Sequence, residues 1–301
     1  DEGLKSMTQR VASKFVELGG LRFHYRDWGG TGQAVVLLHG LGSTCRIWDL
    51  VAPLLSSSFR VFALDQRGHG ETESPDRGYD FDTVAGDLRA FLQMIGIRRP
   101  VLIGHSWGGN VSLHYAESYP SEYLRLVLVD GGTIELSRIH GMETWGQAQE
   151  ILAPPDFSCM TREDIIEILR GEIPESIWSA QVESALLSSF HVDSSGRVRA
   201  NLSRFNHLQV VRELWGHKPS NLFARVKCPV LIIAARCPPQ DQHEGRFMEA
   251  KQQVVSLAQD LLADVKVIWM NDTIHDIPLH RPDELVQAII QFCQRLPDDP
   301  D

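Results

Sequence analysis

A serine between two glycines is the feature of this chain that best matches a catalytic group. Residues Gly104–Gly108 read Gly-His-Ser-Trp-Gly, after the apolar run Val101–Ile103 and before the helix-compatible segment Val111–Tyr119. A serine on a sharp strand-to-helix turn has a strained backbone and an exposed hydroxyl, and its flanking glycines avoid collisions with the neighbouring strand and helix. Serines between glycines are common in turns, so the pentapeptide gains its weight from the strand and helix patterns around it. We predict that Ser106 is a nucleophile.

The elements that must position this serine alternate along the chain. Short apolar runs predict strands at Leu21–Asp27, Ala34–Leu38, Arg60–Leu64, Val101–Gly104, Leu124–Val129, Pro229–Ala234 and Val265–Trp269. Longer amphipathic patterns predict helices at Ile47–Leu55, Phe81–Ile95, Val111–Tyr119, Gly245–Ala263 and Asp283–Leu296. This alternation predicts an α/β fold with a mostly parallel central sheet flanked by helices. Such sheets bind ligands at the carboxyl ends of their strands.

The alternation stops between residues 133 and 227, called the inserted segment below. The patterns there predict helices without a strand, at Arg162–Arg170, Glu175–Phe190 and Asn206–Trp215. We expect a helical cap over the site, inserted after the strand Leu124–Val129; a helical layer that serves only stability is the alternative. The expected organisation is an N-terminal tail, a core in two parts and the cap between them, at 1–20, 21–132 with 228–301, and 133–227.

Composition limits the class of protein. The 301 residues carry a formal charge of −10, with 43% hydrophobic and 23% charged residues, as expected for one large globular domain or a domain with an insertion. The negative charge disfavours nucleic acid and anionic membranes as general partners. No apolar run approaches the roughly 20 residues that span a bilayer. The five scattered cysteines have no zinc or redox spacing and favour a cytoplasmic protein, although a secreted one is also compatible.

From about Leu21 to Phe292 the chain resembles the α/β-hydrolase superfamily, in the manner of serine esterases and lipases with a helical cap. The resemblance is carried by His39-Gly40-Leu41-Gly42, by the Gly104–Gly108 turn and by Thr273–Leu279, with Asp65–Gly70 as a further hallmark. No subfamily is assigned. A nucleophilic serine needs a base and a third group that orients the base. The resemblance implies that the base is His275, which follows the last predicted strand, and that the chain order is serine, acid, histidine.

The acid departs from the commoner pattern of the superfamily. Its usual position, after the strand Pro229–Ala234, falls near Pro238, which has no carboxylate. Asp241 lies about three residues later and would reach the histidine only if the loop folds back. Asp130 ends the strand Leu124–Val129, at the other location known in the superfamily. We favour Asp130, whose non-catalytic alternative is a loop-capping role, and keep Asp241 as the alternative acid.

The resemblance also implies an oxyanion hole formed by the backbone N–H groups of Leu41 and Trp107. We expect His39, Gly40 and the side chain of Trp107 to contact substrate, although core packing explains Trp107 nearly as well. Arg67 and His105 are expected to be structural. The glycine-rich turn matches neither a phosphate loop nor a dinucleotide fingerprint.

These residues predict a serine hydrolase of small carboxylic esters or related acyl compounds, acting through an acyl-enzyme without a cofactor or a metal. A serine at position 106 disfavours dehalogenase and epoxide hydrolase chemistry, for which related enzymes use aspartate. Three alternatives stay open: a lactone or C–C bond hydrolase, a prolyl aminopeptidase, and a ligand-binding protein that has kept the fold. The expected partner is a small molecule, and the oligomeric state is not predicted.

Overall fold

The computed structural model describes residues 11–194, 196–239 and 241–294. The strands are β1 Ala12–Leu18, β2 Leu21–Gly29, β3 Ala34–Leu38, β4 Arg60–Leu64, β5 Val101–His105, β6 Arg125–Val129, β7 Phe190–Val192, β8 Val198–Ala200, β9 Val230–Arg236 and β10 Val265–Asn271. The α-helices are α1 Ala52–Leu55, α2 Phe81–Met94, α3 Trp107–Ser118, α4 Trp145–Leu152, α5 Arg162–Glu172, α6 Ala180–Leu187, α7 Arg204–Gly216, α8 Gln242–Leu261, α9 Ile277–His280 and α10 Pro282–Gln294. Short 3-10 helices cover Cys45–Trp48, Leu136–Arg138, Glu175–Ile177, Pro219–Asn221 and Phe223–Arg225.

Eight strands form one sheet in the order β1-β2-β4-β3-β5-β6-β9-β10. Strand β2 is antiparallel to both of its neighbours, and the pairs from β4 to β10 are parallel. The chain leaves β3 towards β4 on one side and leaves β5 towards β6 on the other. The switch in strand order therefore lies between β3 and β5, where a crevice opens at the carboxyl ends of the strands.

Both faces of the sheet are covered, as the apolar runs predict. Val36 and Leu38 of β3 pack in the core that α2 and α3 share, and Val35 and Leu37 pack in the core that includes α1 and α10. Alternate side chains of a strand point to opposite faces, so one central strand contributes to both cores. A third apolar cluster contains residues of the inserted segment, such as Ala148, together with Ala250 of α8.

The N-terminal tail prediction is wrong for residues 12–18, which form the edge strand β1 and pair with residues 21–27 of β2. Gly19 and Gly20 connect the two strands with φ angles of 57° and 83°, the two-residue turn that glycine pairs favour in hairpins. Most side chains of β1 are exposed, so a search for apolar runs does not detect this strand. Gly-Gly between two runs was the available signal.

Other predictions need correction, among them the helix Glu175–Phe190, which is a 3-10 turn at Glu175–Ile177 followed by α6 and the start of β7. The inserted segment contains a small antiparallel hairpin, β7 with β8, whose strands of three residues are too short to show a period. The predicted helix Ile47–Leu55 is a 3-10 turn, Cys45–Trp48, followed by the separate helix α1. Pro53, near the start of α1, is favourable in a first helical turn and cannot donate a hydrogen bond to a preceding one.

Candidate active site

Ser106 lies on the turn between β5 and α3 with φ of 51° and ψ of −123°, a backbone conformation that costs free energy in any residue but glycine. The turn is tight because the start of α3 lies against the end of β3. A β-carbon at Gly108 would be only 2.5 Å from the carbonyl oxygen of Leu38. Glycine is therefore required at position 108, and the strained turn leaves Ser106 partly exposed above the sheet.

The glycine turn after β3 lies next to Ser106, as the neighbouring positions of β3 and β5 in the sheet require. A β-carbon at Gly40 would be 3.0 Å from Ser106 Cβ and 3.5 Å from Ser106 Oγ. Within the described ranges, no hydrogen bond engages the backbone N–H of Leu41 or of Trp107. Both N–H groups belong to turns beside Ser106.

The side chains of His275 and Asp130, which lie on different loops, are in contact. His275 Nδ1 lies 2.6 Å from Asp130 Oδ2, so Nδ1–H donates to the carboxylate and Nε2 is left as the acceptor. Ser106 and His275 line the same cavity, but no hydrogen bond joins Ser106 Oγ to His275 in the described part of the chain. Such bonds are often long in ligand-free enzymes and tighten when substrate binds.

Asp130 is fully buried and takes part in an unpredicted ion pair. Lys251 Nζ of α8 lies 2.8 Å from Asp130 Oδ1 and 3.0 Å from Oδ2, and Ala235 N–H donates to Oδ1 at 2.9 Å. Burial alone would raise the pKa of the Asp130 carboxyl, but the charge of Lys251 and the His275 hydrogen bond outweigh it and hold that pKa well below its ordinary value. Asp130 is therefore a carboxylate. Sequence reasoning missed Lys251 because a lysine within a long helix is usually solvated.

The pKa of His275 is set by opposing effects. Desolvation disfavours the imidazolium, but the hydrogen bond and the charge of Asp130 outweigh it, so the pKa of His275 is raised. His105, before the serine, is buried and makes a 3.0 Å hydrogen bond from Nε2 to the carbonyl oxygen of His275. Burial and the neighbouring His275 lower the pKa of His105 to about 4, so His105 is neutral at pH 7.

Asp241, the alternative acid, has a different position. It is the N-cap of α8, where its side chain accepts a hydrogen bond from the Glu244 N–H at 2.8 Å. In the described part of the chain, no hydrogen bond joins Asp241 to His275. Of the two candidate aspartates, the structure brings only Asp130 to the histidine.

The expected substrate contacts of His39 and Trp107 need correction. His39 is fully buried, its Nε2 accepts a hydrogen bond from Gln66 N–H at 3.0 Å, and its ring does not line the cavity of Ser106. Trp107 packs in the core and stacks on His69, with ring centroids 5.2 Å apart. Neither side chain lines the cavity of Ser106; both are buried and support the two turns by packing. Arg67 forms a two-point ion pair with Asp87 of α2, in agreement with a structural role.

Residues 33–236 match the sequence profile of the alpha/beta hydrolase fold family, which covers more than half of the chain. The chain belongs to this family. An N-formylmaleamate deformylase from Pseudomonas putida is 38% identical over 125 residues, 41% of this chain and 47% of that protein. A soluble epoxide hydrolase from Corynebacterium sp. (strain C12) is 35% identical over 124 residues, 41% of this chain and 43% of that protein. The aligned part thus spans less than half of the length of either relative.

Structural similarity to a known protein covers more of the chain than these sequence alignments do. The crystal structure of an E-2-(acetamidomethylene)succinate hydrolase superposes with a TM-score of 0.76 at 23% identity, covering 94% of this chain and 99% of that one. At this identity the superposition shows a shared α/β-hydrolase fold. It also includes the inserted segment, since nearly the whole chain is covered.

Ser106 of this α/β hydrolase opens into a cavity of about 540 Å³ with mostly apolar walls. Sheet loops supply Ser106, Asp130 and His275, and the inserted segment and α8 supply the apolar walls, which include Ile134, Leu136, Val211, Leu214, Phe247 and Met248. A second cavity of about 630 Å³ adjoins it. The residues that line both are Leu41, Leu152, Glu172 and His207. Ser106 thus lines a mostly apolar cavity that shares wall residues with a second cavity.

One buried cluster has metal-ligand residue types. Ligand atoms of His24, Cys45 and Asp65 lie within 4.8 Å of one another. Asp65 already accepts hydrogen bonds from His24 Nδ1 at 2.7 Å and from the Cys45 N–H at 2.6 Å. Burial and the charge of Asp65 raise the pKa of the Cys45 thiol, which keeps it protonated, whereas metals bind the thiolate. The cluster is best described as a structural hydrogen-bond network.

No helix in the described ranges combines the length and the hydropathy that crossing a membrane requires.

Proposed function

We propose that this α/β hydrolase is a serine hydrolase that cleaves small carboxylic esters or related acyl compounds through an acyl-enzyme. The observation that carries the proposal is the 2.6 Å contact between His275 Nδ1 and Asp130 Oδ2, beside a cavity that Ser106 also lines. These three residue types, in this order along the chain, suit general-base activation of a serine.

In the first half of the reaction, Ser106 Oγ attacks the carbonyl carbon of the ester while His275 Nε2 accepts the hydroxyl proton. The carbonyl oxygen becomes an oxyanion, which accepts hydrogen bonds from the N–H groups of Leu41 and Trp107. Asp130 stabilises the imidazolium that forms on His275. The C–O bond to the leaving group then breaks, and His275 Nε2–H donates its proton to the alcohol oxygen.

In the second half, water replaces the alcohol. His275 Nε2 takes a proton from the water, whose oxygen attacks the acyl carbon of the Ser106 ester. Collapse of the second tetrahedral intermediate breaks the bond to Ser106 Oγ, which regains the proton from His275. The products are one carboxylic acid and one alcohol, and the enzyme returns to its starting protonation state.

The walls of the cavity support the proposed substrate class. An apolar chamber of about 540 Å³ suits an apolar acyl or alcohol group of modest size, with the inserted segment acting as a cap. Hydrolysis of an N-acyl bond by the same residues is a second candidate, favoured by the 38% identity to the N-formylmaleamate deformylase. Its steps are the same except that the leaving group is an amine or amide nitrogen.

The proposal is tested with p-nitrophenyl esters from acetate to long chains and with a fluorophosphonate probe, which labels activated serines without depending on substrate fit. We expect turnover and labelling in the wild type and loss of both in Ser106→Ala. The matched control is Ser118→Ala, at the exposed C-terminal end of the same helix, which is expected to behave as the wild type.

The chain-length optimum would measure the acyl chamber. Labelling without ester turnover would favour the N-acyl candidate, which is then assayed with N-formyl and N-acetyl amides. A wild-type protein that neither turns over esters or amides nor reacts with the probe would overturn the serine mechanism.

A further inference from the structure

Lys251 is a buried lysine that contacts the carboxylate of the proposed triad. Only 6% of its side chain is exposed, and it projects from the middle of α8. Its Nζ lies 2.8 Å and 3.0 Å from the two oxygens of Asp130 and 3.2 Å from the carbonyl oxygen of Ala235. A lysine is seldom buried to this extent unless it is paired, because removing an ammonium group from water is costly.

The hydrogen bonds of Lys251 leave it no donor for a substrate. An ammonium group has three N–H donors, and three acceptors surround this one. The Asp130 carboxylate in turn accepts from Lys251 at both oxygens, from Ala235 N–H at Oδ1 and from His275 at Oδ2. Three residues thus donate hydrogen bonds to the Asp130 carboxylate, and of these only His275 takes part in the proposed reaction.

We propose that Lys251 is a positioning residue of this site, whose ammonium charge fixes Asp130 and limits how strongly Asp130 attracts a proton to His275. This inference rests on the proposed serine mechanism. A general base works best when its pKa lies near the working pH. A buried carboxylate without a counter-charge would stabilise the His275 imidazolium too strongly, and more of the base would be protonated at neutral pH.

Other groups near His275 also influence its pKa, so the effect of Lys251 must be considered together with theirs. Asp130 and Asp276 favour the imidazolium, Lys251 opposes it, and His105 is a neutral neighbour whose ring centroid lies 4.9 Å away. Among the main charged groups that set the pKa of His275 in the described part of the chain, Lys251 opposes the two carboxylates. Removal of the Lys251 charge is therefore expected to raise the pKa of His275.

The test measures His275 directly by NMR of protein labelled with 13C-histidine, and His275→Gln identifies its signal. We expect Lys251→Met and Lys251→Gln to raise the pKa of His275 by about one unit, because both remove the charge although glutamine keeps hydrogen-bond donors. Lys251→Arg keeps the charge and should restore a near wild-type pKa. Lys227→Met, at an exposed lysine, is the matched control.

The rate of fluorophosphonate labelling of Ser106 against pH gives a second readout. Its acidic limb should move to higher pH with the pKa of His275, whereas a merely structural lysine would lower the rate at every pH and leave the limb in place. An unchanged or lower pKa of His275 in the folded Met and Gln variants would overturn the proposal. In the wild type, NMR of 15N-lysine must show Lys251 as an ammonium group at neutral pH; a neutral amine would overturn the proposal without any variant.

Failure of the serine mechanism has a separate signature. In that case wild-type Ser106 stays unlabelled at every pH, whatever the titration of His275 shows.

Discussion

The imidazole of His105 donates a hydrogen bond from Nε2 to the backbone carbonyl oxygen of His275, at 3.0 Å. This bond ties the turn that carries Ser106 to the loop that carries His275, 170 residues further along the chain. Because the carbonyl can only accept, the hydrogen bond fixes the tautomer of His105. Its Nδ1 is then a buried acceptor without a partner in the described part of the chain. The residue before the serine therefore helps to set the distance between the proposed nucleophile and its base.

We expect His105→Phe, which keeps a ring but loses this hydrogen bond, to lower kcat by about ten- to a hundredfold through misplacement of His275. The free energy of unfolding should fall by about 1 kcal/mol. Steady-state kinetics and thermal unfolding measure the two effects. His140→Phe is the control, since 75% of the His140 side chain is exposed. A wild-type kcat in His105→Phe would contradict this role.

Asp130→Asn should lower kcat by about 10⁴-fold, the order of magnitude seen when the acid of a serine triad is made neutral. It should also lower the melting temperature, because Lys251 loses its buried counter-charge. Asp241→Asn should keep kcat and lose at most about 1 kcal/mol of stability, since only the cap of α8 changes. Ester kinetics below the melting temperature compare the two; the reverse ranking would transfer the acid role to Asp241.

We expect Gly40→Ala to lower kcat by about tenfold or more, because its β-carbon would lie 3.0 Å from Ser106 Cβ and disturb the turn of the proposed oxyanion hole. Gly146→Ala in α4 is the control. Its β-carbon meets nothing within 4 Å, so it should keep kcat and gain up to about 1 kcal/mol of stability. Equal kinetics in the two variants would show that the space beside Ser106 is not needed for catalysis.

The pH profile of kcat/KM should have an acidic limb above the ordinary histidine pKa of about 6.5. In the proposed mechanism only neutral His275 accepts the serine proton, and Asp130 raises the pKa of His275. Activity therefore falls as the pH decreases through that raised pKa. The profile is measured with p-nitrophenyl acetate at constant ionic strength. An acidic limb below the ordinary value would refute the predicted direction.

The same titration affects stability with the opposite sign. A raised pKa in the folded state stabilises the protein at pH values below the ordinary pKa, and this contribution is lost as the pH rises through the pKa of His275. The melting-temperature difference between the wild type and His275→Gln should therefore shrink as the pH increases across that range. A difference that stays constant would mean that His275 has an unperturbed pKa.

Short-range patterns were sufficient for much of the fold. Strands β3 and β4 have the predicted bounds, because a buried parallel strand is a continuous apolar run that a window of a few residues displays. The predicted turn Gly104–Gly108 includes the end of β5 and the start of α3. Strand β1 escaped the same analysis because it lies at an edge with exposed side chains. The hairpin β7–β8 escaped it because three residues show no period.

The sequence by itself determined the α/β class and the position of Ser106 on its turn, since each depends on residues close together in the chain. The choice of His275 as the candidate base came from the family resemblance and from its place after the last predicted strand. The sequence left Asp130 and Asp241 as alternatives, because both follow strands whose carboxyl ends lie at one edge of the sheet. Only the tertiary structure decided which of them contacts His275: Asp130 Oδ2 lies 2.6 Å from His275 Nδ1, whereas Asp241 is the N-cap of α8. The contact of Lys251 with Asp130, 121 residues away, depends on how α8 packs against the sheet, and no local pattern encodes that distance.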